Sequence, residues 1–406
     1  MKIVPYAFRN VWRSRHHTFV TILAMAFTGF IMIFYASLME GFVRNMERNA
    51  VGMDLGDIQI HAPGYREDPD LYKRIKNPDE IIKKLKSAGF TATQRLYGFG
   101  LGSSGSSSAG VTMRGIDMQN EMKVTQMYRH ILEGSWLSET DPKGVVIGRK
   151  LARTLGVKPG DEIVILSQAA DGSMANDLYT LKGILKSVGA GVDRTALLMT
   201  EKSFRELMAL PEGAHEIAAM RTDRTTDLQT ATEKARKIAP GLEVKNWREL
   251  QPLLARMNDL IDNSLIFMLL IAYVAIGMVV LNATLMSVFE RIRELGVMKA
   301  LGLSPLGTAT LIFTEAMIKT TAAALFAVAT GVPLSLYYQT HGIDLSAVTG
   351  GSTITGIAFD PVWHSRLTYE SVIMPVVLLF AVVGLSALYP AVKAALIVPV
   401  KAIYYR

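Results

Sequence analysis

The chain is 406 residues long, 50% hydrophobic and 19% charged, with a formal net charge of +7. That is too apolar for an ordinary soluble globule and too charged for a bundle of membrane helices alone, so a mixed protein is the simplest reading. The absence of cysteine excludes disulfides, thiol catalysis and cysteine metal sites, and an outer domain must hold together by its core.

In chain order, the first long stretch without Asp, Glu, Lys or Arg is His16 to Met39. It can hold the roughly 20 helical residues that cross a hydrocarbon core of about 30 Å. A cleaved signal peptide is the competing reading, but the apolar core outlasts such a peptide and no small-x-small site follows it. Three further charge-free runs have membrane length: Asn263 to Phe289, Thr320 to Ile343 and Ser371 to Val392. A charge at mid-bilayer costs about 3 kcal/mol, so four such runs point to four spans.

Basic residues set the expected orientation. Lys2, Arg9, Arg13 and Arg15 precede the first span, Arg291, Arg293 and Lys299 follow the second, and Lys393, Lys401 and Arg406 follow the fourth. The positive-inside rule then places both termini in the cytoplasm and Glu40 to Asp262 outside. Much of the positive charge is topogenic and requires no nucleic acid.

The long outer segment reads as alternating strands and helices. Asp57 to His61 alternates, Asn77 and Pro78 start a helix that ends before Gly89, and Phe90 to Leu96 is extended. Later come a helix over Thr200 to Leu210, a strand over Glu216 to Arg221, a helix over Thr226 to Ala239 and a strand over Leu242 to Lys245. Two β-α-β halves from the ends of the segment predict a split ferredoxin-like layer, with an inserted β-rich subdomain over about Gly98 to Thr195. The expected fold is thus membrane α-helical with an α+β extracytoplasmic domain. Its divisions are 1–40, 41–263 and 264–406. The last holds spans over 264–289, 305–338 and 371–392, with a short helix over 290–303 after the first of them.

Asn246 is expected to cap a helix that runs through Pro252 straight into the second span. From Pro252 to Phe289 such a helix is about 57 Å long, roughly 25 Å more than the membrane needs, and the surplus would form a stalk. Glu315 and Lys319 lie just before the charge-free part of the third span, where a solvated i,i+4 pair is the plainer reading and a buried functional pair the alternative.

No GxxxxGK[ST] occurs, so any ATP would have to be hydrolysed by another chain. The Gly/Ser run Gly98 to Gly110 reads as a flexible connection between strands, with a substrate-contacting loop as the alternative. Histidines are scattered, and neither a metal nor a catalytic constellation stands out. Ala387, Ala391 and Ala395 repeat every four positions, which suits close helix packing.

The segment Glu290 to Pro305, ERIRELGVMKALGLSP, repeats Ile292, Leu295 and Met298 every third position between charges, as an interfacial helix would. It resembles the signature of FtsX-like, MacB-type (type VII) ABC transporter permeases, and YPAVKAALIVPVKAIYYR (Tyr389 to Arg406) is similar to the ending of the same family. GVVIGRKLARTLGVKPGDEIVIL within Leu132 to Leu166 resembles the family's extracytoplasmic core. Met39 to His61 and VTMRGID (Val111 to Asp117) resemble the lipoprotein-releasing Lol-type branch.

The resemblance implies a non-catalytic permease of an inner-membrane machine: two permease chains, identical or homologous, and two ABC ATPase subunits that use ATP and Mg. Glu290, Arg291, Arg293, Glu294, Leu295, Met298, Leu301 and Gly302 would form the coupling segment that docks into the ATPase. Phe27, Phe30, Phe34 and Met278 are offered as apolar contacts for acyl chains, although any lipid-facing helix carries such residues. Ser167 to Asp177, with Ser167, Gln168, Asp171, Met174 and Asp177, stands where a Lol-type subunit hooks a periplasmic lipoprotein carrier; it is short and lacks the hook's proline, so a plain hairpin is the alternative. Three functions stay open: lipoprotein extraction by mechanotransmission, efflux with a periplasmic adaptor, and a signalling scaffold that controls a cell-wall hydrolase.

Overall fold

The structure is a computed structural model that describes residues 3–13, 15–223, 225–344, 353–354, 357–358 and 362–403. The chain divides into two compact units. One is helical, built from 1–45, 258–347 and 362–406; the other is α/β, built from 46–257 with 348–361.

The helical unit contains the four long apolar helices that the charge-free runs predict: Arg15–Ala50, Pro252–Glu290, Pro305–His341 and Tyr369–Ala395. We call them spans 1 to 4. Spans 1 and 2 also reach the α/β unit's part of the sequence. Within the apolar helices, threonine hydroxyls are satisfied internally: Thr320, Thr321 and Thr330 each donate to the carbonyl four residues back, at 2.8–2.9 Å. The core of the spans is formed by Met25 and Met32 of span 1, Tyr273 of span 2, Ala323 of span 3 and Val383 of span 4, among others. Ala387 and Ala391 of span 4 are buried, as close packing by small residues requires.

Ten strands build the α/β unit. β1 (Ile58–His61), β2 (Phe90–Ser104), β9 (Glu216–Arg221) and β10 (Glu243–Asn246) pair antiparallel in the order β10-β1-β9-β2. With helices Pro78–Ser87 and Leu228–Ile238, this is the ferredoxin-like order expected from the two β-α-β halves. The inserted part comprises β3 (Ser107–Ile116), β4 (Ile131–Gly134), β5 (Gly144–Ile147), β6 (Glu162–Gln168), β7 (Met174–Leu185) and β8 (Ala196–Thr200). Its pairings run β2-β3-β8-β5-β7-β6 and return to β2, which closes a six-stranded ring. Leu96, Val111, Met113, Val145, Ile163 and Leu197 are among the residues that form its core.

Two expectations are corrected here. The Gly/Ser run is no flexible connection: β2 and β3 pair from Arg95↔Ile116 to Ser104↔Ser107, and only the turn at Gly105 lies between them. A Cβ on Gly100 would lie 2.6 Å from the Leu166 carbonyl oxygen, so glycine lets β6 approach where the ring closes. Asn246 caps a separate one-turn helix, Trp247–Leu250, through a capping box with Glu249. That turn ends at Gln251, and the 39-residue span 2 starts afresh at Pro252.

The α/β unit also buries an ionic network. Arg95 is fully buried. Its Nη2 meets Glu121 Oε1 at 2.6 Å, its Nε donates to Glu121 Oε2 at 3.0 Å, and its Nη1 donates to Glu216 Oε1 and the Asp54 carbonyl, both at 2.7 Å. Arg114 pairs with the Asp54 carboxylate and lies 5.0 Å above the Tyr97 ring, while Tyr97 Oη donates to Glu216 Oε2 at 3.2 Å. Burial alone would raise the Glu216 pKa, but Arg95, His61 and Arg114 together outweigh it and hold it at about 2.

Candidate functional site

The segment after span 2 folds as the short helix Ile292–Ala300, with Arg291 between it and the span. Gly302 ends it at φ +102°, a conformation that disfavours a side chain. Ser304 then caps span 3 by accepting from the Gly307 N–H at 3.0 Å, and Pro305 takes the first helical position. Leu295 and Gly296 are buried and Met298 is half-buried, whereas Arg293, Val297, Leu301 and Gly302 are exposed. Leu301, at 84% exposure, is an apolar side chain that lies outside the core. The inner face joins a core with Ala7 of the N-terminal helix Ile3–Arg13, Val288 of span 2, Leu311 and Ile312 of span 3, and Ala391 and Ala394 of span 4.

Polar contacts fix the segment to three other parts of the helical unit. Arg13 Nη2 lies 2.7 Å from Glu294 Oε1, which binds the N-terminal helix to it. Arg291 Nη1 donates to both oxygens of Glu315 on span 3, at 3.1 and 3.2 Å, and Asn10 Nδ2 donates to Glu315 Oε1 at 2.8 Å. Lys299 Nζ donates to the carbonyls of Ala395 and Ile397 at the end of span 4, both at 2.6 Å, where a cation complements the unsatisfied helix end. Glu290 lies 3.9 Å from His17 Nε2.

The Glu315–Lys319 pair is therefore not the solvated helix pair that was the plainer reading. Glu315 is 5% exposed and belongs to Arg291 and Asn10. Asn10 and Glu315 were missed as members of the site, because their partnership spans 305 residues of sequence and only the fold creates it.

The other candidates lie elsewhere. Phe27 and Met278 are exposed; Phe30 is half-buried and stacks on Phe27 at 6.3 Å, and Phe34 packs on Tyr338 of span 3 at 5.6 Å. Ser167, Gln168, Met174 and Asp177 lie in the β6-β7 hairpin, whose turn is held by Asp171 accepting from the Ser173 N–H and Oγ at 2.9 and 2.6 Å. Ser167 Oγ donates to the Phe99 carbonyl at 2.6 Å, Asp177 pairs with Lys143, and Met174 is 79% exposed. Among the described residues no group of His, Asp and Glu is suited to a metal ion.

Comparison with known proteins gives these arrangements a family. The MacB-like periplasmic core domain matches residues 18–238, more than half of the chain, and the FtsX-like permease C-terminal region matches 266–399. The chain is 23% identical to the lipoprotein-releasing system transmembrane protein LolE of Haemophilus influenzae, over 91% of this chain and 89% of that protein. It is 23% identical to LolC of Xylella fastidiosa strain Temecula1, over 72% of each chain, and to an uncharacterized ABC transporter permease of Methanocaldococcus jannaschii, over 74% and 75%. Among solved structures it is similar to the extracellular domain of the noncanonic ABC-type transporter YknZ from Gram-positive bacteria, with TM-score 0.35 and 12% identity over 47% of this chain and 98% of that one. It is also similar to the periplasmic region of MacB from Actinobacillus actinomycetemcomitans, with TM-score 0.37 and 11% identity over 51% and 95%. This chain belongs to the FtsX/MacB-type ABC transporter permeases, near their Lol-type branch.

Proposed function

We propose that this permease works with a separate ABC ATPase to lift lipoproteins, or another amphipathic substrate, from the outer leaflet of a bacterial inner membrane by mechanotransmission. Both termini and the segment 290–302 face the cytoplasm in this reading, and the α/β unit is periplasmic. ATP and Mg are bound by the ATPase chains, which pair with two permeases. The observation that carries the reading is the one-sided helix Ile292–Ala300. Its inner face is fixed to the N-terminal helix, span 3 and span 4 by Glu294, Arg291 and Lys299, while Val297 and Leu301 face outward. Force applied to such a handle is passed to the spans rather than absorbed by a loop. Lipoprotein as the substrate rests on the Lol-type relatives, and Phe27, Phe30, Phe34 and Met278 supply acyl contacts in it. The hairpin with Met174 at its edge is the place for a soluble carrier.

The test is co-purification and lipoprotein release from proteoliposomes with the cognate ATPase. Leu301→Asp is expected to abolish ATPase co-purification with insertion unchanged, and Glu294→Gln or Gly302→Ala to weaken transport per ATP hydrolysed. Wild-type co-purification and release in all three would overturn the coupling role. Release failure with intact ATPase coupling, together with drug sensitivity on deletion, would instead support efflux.

A further inference from the structure

A cavity of about 280 Å³ opens within the helical unit where the coupling segment meets spans 1 and 3. Its charged lining is Arg13, Glu290, Arg291, Glu294, Glu315 and Lys319, with His17 beside them. They lie near the ends of charge-free runs: His17 is the second residue of that of span 1, Glu290 follows that of span 2, and Lys319 precedes that of span 3. The cavity is therefore at headgroup depth.

The lining is balanced, three permanent cations against three carboxylates, but its contacts are not. Glu294 is engaged by Arg13, and Glu315 by Arg291 Nη1 and Asn10. Arg291 Nη2 is buried without a hydrogen-bond partner, and Lys319 feels the Glu315 charge but has no hydrogen bond or ion pair within contact distance among the described residues. On the other side, among the described residues, the ion-pair partner of Glu290 is the distant His17 ring, at 3.9 Å. What remains in one cavity is the Nη2 donor of an arginine already paired with Glu315 and Glu294, the Lys319 ammonium and the Glu290 carboxylate, none of them hydrogen-bonded among the described residues. A simple anion would satisfy the two donors and confront the carboxylate, whereas a zwitterion satisfies both. Met286 and Ala283 give the cavity an apolar wall, and its volume suits a headgroup rather than acyl chains.

We propose that this cavity binds the zwitterionic headgroup of a phosphoethanolamine lipid, its phosphate on Lys319 and Arg291 Nη2 and its ammonium on Glu290. A bound lipid at this point would touch span 1, span 2 and span 3 beside the coupling segment, and its occupancy would stiffen that junction. The site does not depend on what the permease transports.

The experiment is native mass spectrometry of the purified full chain with equal amounts of phosphatidylethanolamine, phosphatidylglycerol and phosphatidylcholine of one acyl composition. Retention of phosphatidylethanolamine about fivefold above the others is expected, since a primary ammonium donates to Glu290 and a choline cannot. Lys319→Met should lower its retention about tenfold and Lys319→Arg should preserve it, which separates binding from folding. Glu290→Gln should erase the preference over phosphatidylglycerol without abolishing lipid binding. O-phosphoethanolamine in solution should compete, and inorganic phosphate should compete less. Equal retention of the three lipids, or retention unmoved by Lys319→Met, overturns the proposal. Strong binding of the soluble compound with no lipid retained overturns the lipid as ligand.

Discussion

In the α/β unit Arg95 commits each of its three guanidinium nitrogens to Glu121, Glu216 and Asp54, whereas in the helical unit Arg291 commits Nη1 to Glu315 and leaves Nη2 without a hydrogen bond. Both arginines belong to multi-residue ionic clusters, but Arg95 is fully committed inside its fold and Arg291 lines a cavity. A cluster centred on a fully committed arginine specifies structure, because that arginine leaves no donor for a ligand or a partner to complete. One that lines a cavity, beside an outward-facing helix, is where binding and movement can alter the balance.

Breaking the Arg95 network should have the largest effect. Arg95→Ala strands Glu121 and Glu216 as buried carboxylates, and loss of one partner of such a group costs about 3–5 kcal/mol. Chemical denaturation of the full chain, followed by a probe in the α/β unit, should show that loss; a change below about 1 kcal/mol would mean that water already reaches the network. The second effect is one of pH. Burial pushes the His215 pKa down to about 4, from an ordinary value near 6.5, and the neutral ring accepts from the Tyr97 N–H while donating to the Leu71 carbonyl. Between those two values the unfolded chain binds the proton and the folded one does not. Stability is then full above about pH 6.5 and falls as the pH drops toward 4, by about 3 kcal/mol over the window. His215→Gln keeps one acceptor and one donor and should flatten that slope. Below pH 4.5 the depressed Glu216 carboxyl adds a further loss that the variant retains.

The same contrast decides what could be read from the residues alone. Strand Glu216–Arg221 and the ferredoxin-like order were legible because alternation, caps and turn glycines are local signals. The Gly/Ser run was misread because composition cannot show that Gly100 makes room for Leu166 of a strand more than 60 residues away. Glu315 was misread for a related reason: the i,i+4 rule offers Lys319, while the fold supplies Arg291 and Asn10. In the segment 290–302 the period placed Leu295 inward and Arg293 outward, but it gave neither the exposure of Val297 and Leu301 nor the partial burial of Arg291 against Glu315, which only the packing of other helices decides.

Glu315→Gln sharpens the comparison from the helical side. The neutral side chain can still accept from Asn10 but no longer balances Arg291, and the loss should be about 2 kcal/mol, less than for Arg95 because the cavity lets water reach the freed guanidinium. Its effect should be local. Hydrogen exchange should quicken in Ile292–Ala300 and leave β1, β2 and β9 unchanged; uniform quickening would show that the cluster supports the fold rather than the junction.

The smallest expected effect tests whether exposure by itself signals function. Met174 is 79% exposed at the edge of the β6-β7 hairpin, whose turn is held by Asp171 and Ser173 and whose base is tied by Ser167 to Phe99. None of those contacts uses the Met174 side chain, so Met174→Ser should change stability by no more than about 0.5 kcal/mol, as an exposed substitution that disturbs no neighbour does. If a carrier docks there, the same substitution should weaken its pull-down while denaturation curves stay superimposed, because a flexible thioether contributes to an interface only once a partner covers it. A destabilisation above about 1 kcal/mol would place Met174 within the domain's own packing and remove the hairpin from the surfaces open to a partner.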